Sequence, residues 1–194
     1  MKIGIFGGSF NPPHNMHKNI ALELIKKEYL DEIIYVPAGD KYNKKGLISF
    51  NHRINMVNLM IQKYNNLSLS DIGNKDDYQY TYQTLDYFKS INKEDDIYFI
   101  CGTDNLKELD TWKRYEYILE NYKLLVIRRN SDNIDEILNK YKKYKNNIII
   151  ADVESKGLSS TLVRENLKKN IKDDNLDKEV YDYIKENNLY ENWG

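Results

Sequence analysis

The stretch Ile3-Gly4-Ile5-Phe6-Gly7-Gly8-Ser9-Phe10-Asn11-Pro12-Pro13-His14 limits the possible folds more than any other part of the chain. Ile3, Ile5 and Phe6 follow Lys2 without another charge, which predicts a strand buried on both faces. Gly7 and Gly8 end it, and without a Cβ they let main-chain N–H groups approach an anion closely. Pro12 and Pro13 cannot donate to a β-ladder, so the strand cannot continue through them. Ile20, Ala21, Leu24 and Ile25 then recur at helical spacing, which starts a helix near His14. Strand, glycine turn and helix N-terminus in succession build an anion site, because the first N–H groups of a helix lack partners and its dipole is positive there.

His14 and His17 lie three residues apart and project from one side of the first helical turn. An imidazole here can donate to phosphate oxygens and, when charged, offset charge that develops on phosphorus. A metal pair or two surface histidines are the alternatives. A metal pair would need further ligands, and beyond scattered carboxylates only His52 and Cys101 are on offer.

The remaining sequence alternates strands with helices. Strands are expected at Glu32–Pro37, Leu67–Ser70, Asp96–Gly102, Tyr122–Ile127 and Asn147–Val153. Helices are expected over Phe50–Tyr64, Thr81–Ile91, after Asp104, over Ile134–Tyr144, Leu162–Lys169 and Leu176–Asn187. In Phe50–Tyr64, Ile54, Val57, Met60 and Ile61 form the apolar side and Arg53 falls off it. Asp71–Gln79 is charged and contains Gly73, as a loop would. This order predicts an α/β fold, a parallel sheet with helices on both faces. No linker or repeat divides residues 1–194, which are expected to form one domain with a helical C-terminal part from about 158.

Two further places could contact a nucleotide. Ser159-Ser160-Thr161 precedes a helix with Arg164 one turn in, so hydroxyls, N–H groups and a guanidinium can face one point. Capping alone would also account for the three hydroxyl residues. The loop after Pro37 carries Gly39, Asp40, Lys41 and Lys44 on the ligand side of the sheet, where a lysine could meet phosphate or simply face water.

Charge argues against nucleic acid or membrane as partner, since 29 basic residues balance 30 acidic ones. No apolar run reaches the roughly 18 residues of a membrane span, and Met1 leads straight into a strand. One cysteine allows no internal disulfide. The cytoplasm is the expected location.

GGSFNPPHNMH resembles the GxFxPxHxGH signature of the nucleotidyltransferase superfamily, with Met16 where the usual glycine stands. Leu158–Arg164 is similar to the ISSTxIR motif of nicotinate (nicotinamide) mononucleotide adenylyltransferases. Tyr80–Leu85 resembles their YTxxTL segment, and Cys101–Leu106 with Trp112 their GxDxLxxxxxW segment. The loop run Gly39–Lys44 departs from the PPHK-like run of many members.

The resemblance implies a Rossmann-like nucleotidyltransferase fold and the transfer of adenylyl from ATP to nicotinate mononucleotide. His14, His17 and Arg164 would be catalytic. Gly7, Gly8, Ser9, Phe10, Gly102, Asp104, Ser159, Ser160 and Thr161 would join them in holding ATP. Lys41, Thr81, Thr84, Trp112 and Arg129 would hold the mononucleotide, Trp112 by stacking on the pyridine ring. Taken alone, Trp112 could be a core aromatic and Asp104 an N-cap. Mg2+ would be bound mainly through the ATP phosphates, with no protein metal site. A phosphopantetheine adenylyltransferase or a cytidylyltransferase shares the first motif, and a silent nucleotide sensor is the non-enzyme alternative. Acid versus amide preference and a homo-oligomeric state stay open.

Overall fold

In a computed structural model, which describes residues 1–42, 44–129 and 133–191, the chain forms a six-stranded parallel sheet. The strands are β1 (Lys2–Gly8), β2 (Glu32–Pro37), β3 (Leu67–Leu69), β4 (Asp96–Gly102), β5 (Lys123–Arg129) and β6 (Ile148–Ser155). Their order is β3-β2-β1-β4-β5-β6. Ile5 of β1 stands between Ile34 of β2 and Phe99 of β4. Of the loop run Gly39–Lys44, Asn43 lies outside the described residues.

Successive strand residues point to opposite faces, so each strand feeds two cores. Ile33, Tyr35, Tyr98, Ile100, Leu125 and Ile127 pack on one face. That face is covered by α1 (Asn15–Lys26), α2 (Phe50–Ile61), α7 (Ser160–Lys168) and α8 (Lys178–Glu186) through Leu24, Met56, Val163 and Val180. Ile5, Val36, Phe99, Leu124 and Val126 pack on the other. There α3 (Thr81–Ile91), α4 (Thr103–Glu108), α5 (Tyr115–Asn121) and α6 (Ile134–Asn139) supply Leu85, Leu106, Ile118 and Ile137. Each such side chain contributes roughly 1.5–3 kcal/mol by burial. Leu125 of β5, between β4 and β6, is fully buried. Leu125→Ala is expected to cost about 2–5 kcal/mol in urea unfolding, with the urea dependence unchanged.

Several expectations change. Arg53 does not lie off the buried side of α2; it is 0% exposed, because main-chain carbonyls of neighbouring loops need its donors. Tyr115–Asn121 is a separate helix with Ile118 and Leu119 buried, too short to give a clear periodic signal. The helix from Ile134 stops at Asn139 and is followed by 3-10 turns over Lys142–Asn147. α8 begins at Lys178, after a turn in which Leu176 N–H donates to Asp173 O.

The strand order places a switch point between β1 and β4, from which the chain winds outward in both directions. In such sheets ligands bind outside the carboxyl ends of the strands at that point. Gly8 ends β1 and Gly102 ends β4 there.

Candidate active site

The loop leaving β1 is fixed from several sides. Phe10 takes a positive φ of 49° and turns its ring into the core, 5.8 Å from Phe6 and 5.5 Å from Tyr35. Asn11 is buried, donating from Nδ2 to Gly46 O at 2.7 Å and accepting at Oδ1 from Tyr190 OH at 2.8 Å. Main-chain carbonyls of the loop are held by side chains from elsewhere. Ser9 O accepts from Arg53 Nη1 (3.0 Å), Asn11 O from Arg164 Nη1 (2.8 Å) and Pro12 O from Ser160 Oγ (3.0 Å). With its carbonyls engaged outward, the loop keeps one shape.

His14 is the N-cap residue of α1, in extended backbone geometry, and its N–H donates to His17 Nδ1 at 3.0 Å. The two rings stack, with centroids 3.8 Å apart and planes 19° from parallel. Because Nδ1 of His17 accepts, the neutral ring carries its proton on Nε2. Burial lowers the His14 pKa from its ordinary value to about 4, against a small opposing pull from Asp173. His17 is held well below its ordinary value by burial and by His14 beside it. Both rings are therefore neutral near pH 7, and the expected imidazolium charge is replaced by N–H donation.

This has a measurable consequence for stability. A neutral native His14 with a depressed pKa favours the unfolded chain as pH falls, since only the unfolded form takes the proton near 6.5. Stability attributable to His14 is complete above 6.5 and lost progressively down to about 4. Relative to His14→Asn, the parent is expected to lose about 2 kcal/mol between pH 6.5 and 5, read by urea unfolding at each pH.

The start of α7 faces this loop. Ser159 Oγ accepts from Leu162 N at 3.2 Å, so it is a helix cap, and Ser160 Oγ is committed to Pro12. The three hydroxyls therefore do not converge on one ligand point, since a local N–H claims Ser159 and the distant Pro12 carbonyl claims Ser160. Thr161 Oγ1 accepts from Arg164 Nη2 at 3.2 Å, which leaves these two side chains facing the cleft together.

A cavity of about 350 Å³ lies between these parts, in the size range of small-ligand sites. Gly7, Ser9, Phe10, His14 and His17 line it from β1 and α1. Gly102 and Asp104 line it from β4 and α4, and Ser159, Ser160, Thr161 and Arg164 from α7. A Cβ on Gly102 would meet nothing within 4 Å, so what the missing side chain leaves there is open cleft. Arg129 belongs to the same cavity, paired with Asp104 at 2.8 Å. Asp104 is the second residue of α4, whose N-cap is Gly102.

Other expected residues lie elsewhere. Gly8 is exposed at the end of β1. Lys41 pairs with Asp76 on the surface, and the lysine reaching the cavity is Lys44. Thr81 and Thr84 form the first turn of α3. Trp112 is half-buried, edge-on to Phe99 at 5.7 Å.

Met16, noted in place of the usual glycine, lines the cavity. Sequence reasoning missed the buried roles of Asn11 and Arg53 and the cations beside Trp112. Lys113 Nζ lies 4.4 Å from the Tyr80 ring, and Arg114 Cζ lies 5.0 and 4.2 Å from the rings of Tyr82 and Tyr117. The run Trp112-Lys113-Arg114 beside a tyrosine-rich helix start was the signal available for the last of these.

Comparison with known proteins identifies the family and the fold. The cytidylyltransferase-like family model matches residues 5–166. A probable nicotinate-nucleotide adenylyltransferase of Clostridium acetobutylicum is 38% identical, the match covering 97% of this chain and 98% of that protein. One of Acholeplasma laidlawii is 37% identical, covering 96% of each. Among solved structures, the Plasmodium falciparum nicotinic acid mononucleotide adenylyltransferase complexed with NaAD superposes with a TM-score of 0.82 at 23% identity, covering 97% of both chains. The same enzyme complexed with APC gives 0.81, covering 97% of this chain and 96% of that one.

Proposed function

The chain belongs to the cytidylyltransferase-like family and, within it, to the nicotinate-nucleotide adenylyltransferases; we propose that it transfers the adenylyl group of ATP to nicotinate mononucleotide in NAD synthesis. The observation that carries the assignment of roles is the stacked His14–His17 pair, at the start of α1, facing Thr161 and Arg164 across one cavity.

In this reading an oxygen of the mononucleotide 5′-phosphate attacks the α-phosphorus of ATP. A new P–O bond forms as the bond to the β-phosphate oxygen breaks, and pyrophosphate leaves. The nucleophile is already ionised, so the protein supplies alignment and charge dispersal rather than a covalent intermediate. The His17 Nε2–H and the His14 ring donate to the α-phosphate as charge shifts across it. Arg164, Thr161 and the first N–H groups of α7 receive the departing β- and γ-phosphates. Gly7, Ser9 and Phe10 present main-chain N–H groups to the nucleotide, and Gly102 and Asp104 face its ribose. Trp112, Thr81 and Thr84 hold the pyridine end, with Lys41 or Lys44 near the mononucleotide phosphate and Arg129 tied to Asp104.

Asp104 is the only carboxylate among the described residues lining the cavity, and among those residues no cluster of metal-ligating side chains forms. A hard divalent cation such as Mg2+ fits best on the phosphates and water, where it screens their charge. Residues 1–194 act as one domain, since α1 and α2 share a core with α7 and α8. No described helix is long and apolar enough to cross a membrane.

Lys113 and Arg114 sit beside the α3 start that would read the pyridine substituent, which favours an acid over an amide. Pyrophosphate release with ATP and each acceptor in turn tests the assignment. Nicotinate mononucleotide is expected to exceed nicotinamide mononucleotide, with phosphopantetheine inert; a preference for phosphopantetheine would refute it. Arg114→Ala is expected to narrow the acid preference about tenfold in kcat/KM, roughly the effect of removing one partly exposed charge.

A further inference from the structure

Arg53 is a buried charged side chain that the proposed chemistry leaves without a role. It is 0% exposed, although taking a guanidinium out of water costs several kcal/mol unless its donors are used. Here they are used on main chain. Nε donates to Ile48 O at 2.9 Å, and Nη1 donates to Ala38 O at 2.6 Å and Ser9 O at 3.0 Å. Nη2 is 3.5 Å from Asp40 Oδ1 and makes no hydrogen bond. The same Asp40 oxygen accepts from Phe50 N at 2.7 Å, at the first turn of α2.

These carbonyls come from two different strand exits. Ser9 follows β1, and Ala38 and Ile48 belong to the loop between β2 and α2. The planar fork of arginine reaches both at once, which a lysine ammonium on a flexible stem does less well. In a trans peptide the C=O and the following N–H point in opposite directions. Anchoring Ser9 O on Arg53 therefore turns the Phe10 N–H away from the guanidinium, and Ser9 and Phe10 both line the cavity.

We infer that Arg53 is a positioning residue for adenylyl transfer: it locks the β1 and β2 exit loops together and so orients the Phe10 N–H as a phosphate donor. The inference rests on the adenylyl-transfer reading above. It does not require Arg53 to touch a substrate.

The test compares the parent with Arg53→Lys and Arg53→Met, at a temperature where circular dichroism shows each variant fully folded. Pyrophosphate release with ATP and nicotinate mononucleotide is expected to fall about 100-fold in kcat for Arg53→Met, the size of effect that a misplacement of about 1 Å produces. Arg53→Lys should fall between. In parallel, the Phe10 amide resonance should move when ATP is added to the parent and stay nearly still in Arg53→Lys. Folded variants within threefold of parental kcat, or an unaltered Phe10 response in Arg53→Lys, would overturn the inference. An Arg53→Met chain that does not fold leaves the decision to Arg53→Lys. A parent inactive with this substrate pair refutes the functional reading, and the amide response to ATP still decides whether Arg53 sets the loop.

Discussion

His17→Ala is expected to lower kcat for pyrophosphate release about 10²–10³-fold, the usual loss when one preorganised donor to a developing charge is removed. ATP affinity should change little, because the α7 contacts and main-chain N–H groups remain. Two features set the size of the effect. The His17 ring is fixed by its acceptor bond from His14 N and by an edge contact with Phe10 at 4.9 Å, so its Nε2–H needs no reorganisation during reaction. The ring is neutral, so what is lost is a directed hydrogen bond rather than a screened charge. His17→Gln, which can place an amide N–H near the Nε2 position, should recover part of the loss. Single-turnover rates with saturating ATP are the measurement, and an unchanged rate in His17→Ala would remove histidine from the mechanism.

Gly73→Ala is expected to cost about 3 kcal/mol or more, the upper range for forcing an atom into filled space. A Cβ on Gly73 would overlap Pro37 O, and one on Gly39 would overlap Gly73 O and lie 2.8 Å from Asn74 Cα. The obstacles are backbone on both sides, so no rotamer change can relieve them. For a domain of this size the loss corresponds to a fall in Tm of about 6–12 °C. The pressure falls on the exit of β2, beside Ala38, whose carbonyl Arg53 holds. The fraction that stays folded should show a raised KM for the mononucleotide. Thermal melts of Gly73→Ala and Gly39→Ala decide it, and midpoints within 2 °C of the parent, less than about 1 kcal/mol, would show that the two segments can part freely.

The architecture could be read from the sequence wherever a local pattern reports it. The apolar runs of β1, β2, β4 and β5 need no knowledge of distant residues, and the chain folds as they indicate; Gly7 and Gly8, expected to turn, instead continue β1 to its end, and the positive φ falls on Phe10. The histidine pair and Arg164 could be singled out because their spacing is local too, and all three line the cavity. What escaped was set by contacts across long separations. Arg53 reads as a surface residue until the carbonyls of Ser9 and Ala38 come beside it. Ser160 looks available for a phosphate until Pro12 takes its hydroxyl. The neutrality of His14 follows from burial at 4% exposure, which its sequence neighbours do not signal. Lys44 rather than Lys41 enters the cavity because Asp76 captures the latter.

The bond from Tyr190 OH to Asn11 joins residues 179 positions apart and places one of the last described side chains beneath the loop that opens the site. Asn15 and Lys18 of α1 likewise bond to Asn175 and Asp177. During translation, at roughly 5–20 residues per second, about 9–36 s separate the emergence of that loop from the arrival of its anchor. A nascent chain can pair β1 with β2 early in that interval, yet the loop after β1 lacks this anchor until residue 190 has cleared the ribosome. A chain cut before Tyr190 is therefore expected to keep its sheet and to lose the anchor of the loop after β1.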